Sequence, residues 1–355
     1  MGLDVRRAMT RPWVVLREGA RLRWGGDLRR HYLLESLAQR TGARTTDACS
    51  ARFIAPVLAP GLKGNEVPWV ASSEFLDSTA LPMAHERGKL LLLDVHDDSV
   101  IQHDAAGIVL TSDERASLEL LLSDNIGVFR LYSVPGETLA TRIGLDPSRT
   151  HVALNGTDTR VVRPGPWPTD PAIAMVSGAG PGRGIEMLID AARALRHRHE
   201  LRLLLLLLAT NDASQVYLDQ LKARCSSVPW IEISSARYDE LGARLANAMV
   251  VCAPHPPHPY WDAASPVKIS DYLSAGRPVV TTPRLETMRL FERIDGGVVC
   301  EDDSLDSLVA ALDRVLSNET YARALGERAR TSAEQQLDWA RIGDELASWV
   351  LDRAE

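Results

Sequence analysis

Residues 265–282 read SPVKISDYLSAGRPVVTT, and this stretch decides the fold. Pro266 suits the first turn of a helix, because the N–H group that it lacks would be unpaired there in any case. Gly276 and Pro278 predict the end of that helix, since glycine favours the left-handed backbone of a helix end and proline cannot continue a helix. The β-branched run at 279–282 is typical of a strand that is buried on both faces of a parallel sheet. The stretch therefore predicts a helix, a tight turn and a central strand of an α/β protein.

Two charged side chains lie near the start of this predicted helix. Lys268 and Asp271 are three residues apart, so both side chains lie on one side of the helix. Backbone N–H groups at a helix start favour an anion, and Lys268 adds positive charge beside them. The alternative is a surface pair that contributes only to the stability of the helix.

Length and composition set the class of the protein. The chain has 355 residues, more than one compact core usually holds, which predicts two domains. The net charge of -7 argues against a nucleic-acid partner. The four cysteines have neither metal-site nor disulfide spacing, and no apolar signal segment opens the chain. We therefore expect a cytoplasmic α/β protein that does not bind nucleic acid.

The N-terminal region contains a strand, a glycine pair and a helix. The strand at 12–17 is followed by Gly25 and Gly26 and by a helix from about Leu28, with Asp27 as a candidate N-cap. This layout points backbone N–H groups at an anion, although two glycines can also form a plain tight turn.

Polar side chains follow the predicted strand at 89–95. Asp94, His96, Asp97 and Asp98 stand at its carboxyl end, where open parallel sheets bind ligands. These side chains are candidates for acid–base or electrostatic work on a bound substrate. The alternatives are a metal site and a hydrogen-bonded loop in which Asp97 or Asp98 caps the next helix.

A second strand, loop and helix follow the proline-rich segment at 163–171. The loop reads GAGPGRG at 178–184. Gly178 and Gly180 begin a dinucleotide-binding fingerprint, but Arg183 stands where that fingerprint needs its third glycine. Alternatively, Arg183 beside a glycine-rich helix start neutralises a diphosphate.

The loop PHPPHPYWDAA at 254–264 is rich in proline and aromatic residues. His255 and His258 are candidate metal ligands, but no third ligand accompanies them. We expect this loop to form a rigid wall of the binding cleft.

These motifs resemble those of nucleotide-sugar glycosyltransferases with two Rossmann-like domains, the GT-B fold. The stretch 265–282 is similar to S-P-x-K-x-x-E-Y-L-A-x-G-x-P-V-V of the retaining family-4 group, with Asp271 for the Glu and Ser274 for the Ala. Residues 155–158, NGTD, resemble the P-N-G-x-D that closes the first domain in that group.

The resemblance implies an α/β fold of two Rossmann-like domains with a cleft between them. It implies an acceptor-binding domain at 1–162, a linker at 163–171 and a donor-binding domain at 172–338. A terminal helix at 339–355 would return to the first domain.

The resemblance also implies an activity. It implies a metal-independent, retaining hexosyltransferase without a cofactor, which moves a sugar from a nucleotide-diphosphate sugar to an acceptor hydroxyl. The acceptor would be a cell-surface glycan, a glycolipid or a secondary metabolite. Arg183 and Lys268 would hold the diphosphate and stabilise its leaving charge, Asp271 would bind ribose, and His96 or Asp97 would contact the acceptor. The implied donor-binding residues are Gly25, Gly26, Gly178, Gly180, Arg183, Ser265, Lys268 and Asp271.

Two departures keep other classes of function open. Ala263 stands where many relatives have the first of two glutamates, and residues 72–74, SSE, stand where some relatives have a catalytic histidine. These departures suggest a non-catalytic sugar-nucleotide-binding protein. The Gly178 loop keeps an NAD-dependent oxidoreductase open, and a sugar-nucleotide epimerase shares the fold and needs no acceptor.

The start of the chain is rich in arginine, which predicts weak peripheral contact with the anionic inner face of a membrane. The alternatives are a solvated face and a site for a phosphorylated acceptor. These arginines are Arg6, Arg7, Arg11, Arg17, Arg21, Arg23, Arg29 and Arg30.

Overall fold

The protein is an α/β protein with two parallel sheets. The computed structural model describes residues 13–17, 25–41, 44–47, 67–72, 92–127 and 129–353. The start of the strand predicted at 89–95, residues 89–91, lies outside the described residues. The chain divides into a first unit, formed by the described residues of Met1–Gln102, Val109–Asn155 and Trp339–Glu355, and a second unit, formed by His103–Ile108 and Gly156–Asp338.

In the described residues, the strands are β1 (Trp13–Arg17), β2 (Arg44–Asp47), β3 (Val67–Ser72), β4 (Leu92–Asp94), β5 (Leu131–Val134), β6 (Thr150–Val152), β7 (Ala172–Gly178), β8 (Arg202–Leu208), β9 (Ile231–Ser234), β10 (Val250–Ala253), β11 (Val279–Thr281) and β12 (Gly297–Val299). The α-helices in the same residues are α1 (Gly25–Thr41), α2 (Ser99–Ala105), α3 (Ser112–Ile126), α4 (Glu137–Arg142), α5 (Ile185–Leu195), α6 (Asp212–Cys225), α7 (Leu241–Leu245), α8 (Pro259–Ala263), α9 (Val267–Ser274), α10 (Leu285–Arg293), α11 (Leu305–Leu316), α12 (Glu319–Ser332) and α13 (Trp339–Leu351). A π-helical turn, Ala333–Leu337, follows α12.

The first unit is built on a six-stranded sheet. Its strand order is β2-β1-β3-β4-β5-β6, and every neighbouring pair is parallel. The terminal helix α13 packs on α1, where the rings of Tyr32 and Trp339 stack with centroids 6.0 Å apart. A Cβ added to Gly343 would lie 2.3 Å from Cβ of Ser36, so this glycine lets the two helices approach closely. The end of the sequence therefore completes the unit that its beginning forms.

A buried ion pair lies inside the first unit. Arg29 is fully buried and donates from Nε and Nη2 to the carboxylate of Asp94, at 3.0 Å and 2.8 Å. Its Nη1 donates to the carbonyl oxygen of Ala153 at 2.6 Å, and the hydroxyl of Ser133 donates to Asp94. Burial by itself raises the pKa of Asp94, but Arg29 and Ser133 together hold it below its ordinary value. Asp94 was predicted to face a ligand, and instead it stabilises the interior.

Two of the N-terminal arginines are buried rather than exposed on a basic surface. Arg29 pairs with Asp94, and Arg30, 4% exposed, pairs with Asp27. The side chains of the other six arginines named above lie outside the described residues. No helix within the described ranges is both long and apolar enough to span a membrane.

The second unit is built on another parallel six-stranded sheet, with the order β12-β11-β10-β7-β8-β9. Strand β8 reads RLLLLLL and is buried at its five central positions, because helices cover both faces of the sheet. It pairs with β7 along seven residues. This sheet supplies a rigid base for the loops at its carboxyl edge.

The segment 156–171, which contains the predicted linker at 163–171, lies in the longer stretch of the second unit, Gly156–Asp338. Side chains of the second unit bind the backbone of this segment. The hydroxyl of Ser274 donates to the carbonyl oxygen of Val162 at 2.6 Å, and Arg277 donates to that of Pro166 at 2.7 Å. Proline content suggested a spacer, but these contacts attach the segment to the domain that follows it.

Candidate functional site

The sheet of the second unit changes direction at β7. The chain runs through β7, β8 and β9 towards one edge and then through β10, β11 and β12 towards the other. Open parallel sheets bind ligands at the carboxyl ends of the strands beside such a switch point. Here the switch lies between β7 and β10, so the loops that follow these two strands define the candidate site.

The loop after β7 is held against the start of the loop after β10. Gly182 and Gly184 have φ of 69° and 77°, in the left-handed region that favours glycine. A Cβ added to Gly184 would lie 1.8 Å from the carbonyl oxygen of Pro254, so a side chain at 184 would prevent this approach. At Gly180, by contrast, an added Cβ would meet no atom within 4 Å. The loop is therefore fixed at its helix end and open at Gly180, where a ligand can approach the backbone.

Arg183 lies over the indole ring of Trp261, with its Cζ 5.3 Å from the ring centroid. The Nε1–H of the same indole donates to the carbonyl oxygen of Gly182 at 2.9 Å. A Cβ added to Gly178 would lie 3.8 Å from Cζ of Arg183, so the guanidinium folds back over the end of β7. The sequence placed Arg183 in this loop but gave no partner for it.

Lys268 lies in the first turn of α9, two residues after the N-cap Pro266. The side chain is half-buried, and its pKa is lowered to about 7, first by burial and then by the nearby charge of Arg183. Two cations are thus close enough to repel each other. In the described part of the chain, neither Arg183 nor Lys268 forms an ion pair with a carboxylate. Ser265, another predicted donor-binding residue, is half-buried in the turn between α8 and α9.

His255 is fully buried beneath these cations. Its ring stacks on Trp261 with centroids 4.0 Å apart and planes 12° apart. Burial lowers its pKa well below the ordinary value, and the charges of Lys268, Arg183 and Arg284 lower it further, so the imidazole is neutral. The described residues offer no hydrogen-bond partner to either ring nitrogen. The sequence predicted a rigid wall here, and the structure provides a stacked pair of rings.

The second histidine of this loop has a local role. Nδ1 of His258 accepts from the backbone N–H of Tyr260 at 3.1 Å and caps α8. Among the residues that the structure describes, no group of three or more His, Cys, Asp or Glu side chains could hold a metal ion.

Asp271 is 4% exposed and faces the interior of the second unit. Oδ1 of its carboxylate accepts from the hydroxyl of Thr157 at 2.8 Å. Burial raises its pKa to about 7, and hydrogen bonds from Thr157 and Tyr238 oppose that rise. The contact with ribose hydroxyls stays a prediction, and attachment of α9 to the segment at 157–158 is the alternative.

In the first unit, the glycine pair lies inside a helix. Helix α1 begins at Gly25 and includes Gly26, so Asp27 stands in the first turn and is not the N-cap. The carboxylate of Asp27 pairs with Arg30 one turn later, which accounts for its place inside the helix.

The predicted acceptor residues form a hydrogen-bonded pair after β4. Nδ1 of His96 lies 2.8 Å from Oδ2 of Asp97, and Gln102 donates to the same oxygen at 3.2 Å. Asp98 accepts from the backbone N–H of Val100 at 3.1 Å and so caps α2. An imidazole oriented by a carboxylate suits proton transfer, whereas Asp98 has a structural role.

The second unit matches a known family. Residues 170–318 match the family model of the glycosyl transferases group 1. The match takes in the glycine-rich loop and the stretch 265–282. A comparison with curated proteins gave no match.

Solved glycosyltransferase structures resemble nearly the whole chain. The HepE structure from Anabaena in complex with UDP and glucose aligns with a TM-score of 0.70 and 15% identity, over 96% of this chain and all of that one (100%). Sucrose-phosphate synthase from Thermosynechococcus elongatus aligns with a TM-score of 0.67 and 13% identity, over 97% of this chain and 100% of that one. A glycosyltransferase from Rickettsia africae aligns with a TM-score of 0.65 and 12% identity, over 96% of this chain and 99% of that one. The predicted GT-B fold, with two Rossmann-like α/β units, is confirmed.

Proposed function

We propose that the protein is a retaining glycosyltransferase that moves a sugar from a nucleotide-diphosphate sugar to an acceptor hydroxyl. One observation carries the proposal. Arg183 follows β7 and Lys268 lies in α9 after β10, beside the switch point of a parallel sheet, and the charge of Arg183 lowers the pKa of Lys268. In the described residues, no carboxylate pairs with either side chain. Two cations held together in this way favour a ligand with concentrated negative charge, such as a diphosphate.

The same two side chains supply the chemistry that sugar transfer needs. As the bond between the sugar and the diphosphate breaks, negative charge grows on the leaving oxygen. Cations that are already in place stabilise that charge more strongly in the transition state than in the bound donor, and therefore raise the turnover rate. Because the protein supplies this positive charge, we propose that the reaction needs no divalent metal ion.

The donor class follows from the same loops. Gly180 leaves room for a phosphate beside its backbone, and α5 begins shortly after it, at Ile185. The N-terminus of a helix favours an anion. HepE structures contain UDP and UDP-glucose, which supports a UDP-sugar as the first donor to test. For the first unit, we propose that Gly25 and Gly26 line the diphosphate and that His96 or Asp97 contacts the acceptor. The cysteine usage of the chain supports a cytoplasmic location.

A thermal-shift panel of UDP, GDP, ADP, TDP and NADH tests the donor class. A ligand at a hundred times its dissociation constant stabilises the folded state by about 2.7 kcal/mol, which gives a visible melting shift. We expect one nucleoside diphosphate to give the largest shift. A shift with NADH alone would instead support an oxidoreductase.

Substitution of Lys268 tests the site itself. We expect Lys268→Ala to lower both nucleotide affinity and turnover, because the variant lacks the ammonium group that would contact the diphosphate leaving group. Asp271→Asn should lower affinity alone if it binds ribose, and stability alone if it attaches α9. Lys222→Ala, on an exposed position of α6, is the matched control. If the Lys268 variant binds and turns over like the parent, the proposed function loses its support.

A further inference from the structure

We propose that Trp261 is a positioning residue that holds Arg183 in place for the donor diphosphate before the donor binds. This inference rests on the proposed function, because it names what the preorganised loop is for. Trp261 contacts Gly182 and Arg183, so we infer that its effect on a bound diphosphate passes through the glycine-rich loop.

Trp261 contacts two consecutive residues of that loop in two different ways. Its Nε1–H donates to the carbonyl oxygen of Gly182 at 2.9 Å, which fixes the backbone. Its ring faces the guanidinium of Arg183, with Cζ 5.3 Å from the centroid, which fixes the side chain. The residues are 79 positions apart in the sequence, so the contact sets the tertiary position of the loop.

The indole itself is held firmly. Trp261 is 4% exposed. The ring of His255 stacks on it with the ring centroids 4.0 Å apart, and the ring of Tyr260 packs edge-on with the centroids 4.7 Å apart. The hydroxyl of Thr282 donates to the carbonyl oxygen of His255 at 2.6 Å, which ties this support to the end of β11. A protonated imidazole would repel Arg183, whereas the neutral ring of His255 supports Trp261 without repelling the guanidinium.

Electrostatics explain why such a support is needed. Arg183 lies close enough to Lys268 to repel it, and no described carboxylate balances either cation. Without a diphosphate, repulsion would move the flexible arginine side chain away towards water. The aromatic face provides an attraction that does not require a counter-ion, and it leaves the guanidinium N–H groups available for phosphate oxygens.

Hydrogen exchange of the protein without nucleotide tests the positioning role directly. We compare the parent with Trp261→Leu, which loses both contacts, and with Trp261→Phe, which keeps the aromatic face. Exchange in residues 178–184 should rise about tenfold in Trp261→Leu and less in Trp261→Phe. Trp230→Leu is the matched control, since Arg196 lies over Trp230 at 5.4 Å at the amino end of the sheet.

Titration with UDP and UMP then tests what the positioning serves. Trp261→Leu should bind UDP about tenfold more weakly, with UMP affinity nearly unchanged, because a misplaced Arg183 affects the second phosphate most. Trp261→Phe should recover part of the loss. In an Arg183→Ala background, Trp261→Leu should have little further effect, because the two residues act as one unit.

The outcomes separate this inference from the proposed function. If exchange in 178–184 is unchanged in folded Trp261→Leu, or if its effect on UDP is fully additive with Arg183→Ala, the positioning role is wrong. If UDP and UMP weaken equally, Trp261 supports the fold and not the diphosphate site. If exchange rises as expected but the parent binds no nucleoside diphosphate, the proposed function fails, and with it the ligand named here.

Discussion

Single residues determine how closely the two loops of the candidate site approach each other. Gly184 combines a left-handed φ of 77° with the carbonyl oxygen of Pro254 against its Cα. Gly180, four residues earlier, has neither constraint. Packing therefore requires glycine at 184, whereas under the proposed function the reason at 180 is space for a ligand.

We expect Gly184→Ala to lower the free energy of unfolding by about 2–4 kcal/mol. A left-handed φ is unfavourable for alanine, and its methyl group would collide with the carbonyl oxygen of Pro254. Gly180→Ala should change it by less than about 0.5 kcal/mol but weaken nucleotide binding, since the new methyl group fills the open space. Urea unfolding and nucleotide titration of both variants give the test. Equal stability of the two variants would contradict the packing argument.

Lys268 gives nucleotide binding a pH dependence with a definite sign. Its pKa is about 7 in the folded protein against an ordinary value of 10.5, so at pH 8 most of the folded protein carries a neutral lysine. A bound diphosphate favours the ammonium form, and UDP binding at pH 8 should take up about one proton. At pH 6 the lysine is already charged, and uptake should be close to zero.

Calorimetry in two buffers with different ionisation enthalpies measures this uptake. The affinity for UDP should also fall as the pH rises above 7. Lys268→Met should abolish the uptake at pH 8, and an unchanged uptake in that variant would assign the proton to another group.

At the scale of elements, helix α9 and the turn after it join the segment 156–171 to the sheet. Arg277 in this turn is 2% exposed and donates to the carbonyl oxygens of Leu245, Gly165, Pro166 and Ala246. Its guanidinium also lies 4.8 Å from the ring centroid of Trp167. One side chain thus satisfies carbonyl groups from two separate stretches of chain.

We expect Arg277→Ala to lower the free energy of unfolding by roughly 3 kcal/mol, because it leaves several buried carbonyl groups unpaired. Arg323→Ala is a close control. Arg323 lies over the same ring at 4.9 Å, but its side chain is half exposed and pairs with Glu319, so its loss should cost less than about 1 kcal/mol. Similar losses in urea unfolding would show that the ring contact, and not the carbonyl bonds, stabilises the turn.

At the scale of the whole molecule, each unit carries its own parallel sheet, and the chain crosses between the units more than once. The terminal helix α13 lies in the first unit although it follows the second in sequence.

The proposed reaction predicts a metal-free transfer that keeps the anomeric configuration of the donor. Since Arg183 and Lys268 supply the positive charge, activity should survive EDTA within about twofold of the untreated rate. NMR of the product made in the same assay should show the donor's anomer. Activity lost with EDTA and restored by magnesium would contradict the first expectation, and an inverted anomer would contradict the second.

Local sequence signals determined the elements of this protein. Helix α9 ends before Gly276, whose φ is 65°, and β11 is buried as its β-branched residues predicted. The α/β class followed from the same signals, and the two-domain GT-B fold followed from the resemblance of the motifs. Periodicity, caps and breakers act over a few residues, so the sequence alone displays them.

Only the tertiary structure decided which distant residues meet. Trp261 and Gly182, Arg29 and Asp94, and Asp271 and Thr157 lie 79, 65 and 114 positions apart. No spacing rule encodes such contacts, because they depend on the order of strands in a sheet. Asp94 was therefore predicted to face a ligand, although it is buried against Arg29. Asp271 is buried beside Thr157, and its contact with ribose stays a prediction. The sequence by itself determined the elements, the class of fold and the cations Arg183 and Lys268. The packing of the sheets decided the surroundings of those cations. The ring of Trp261 lies against Arg183, and burial together with the charge of Arg183 lowers the pKa of Lys268. Burial and neighbouring charge exist only in the folded chain.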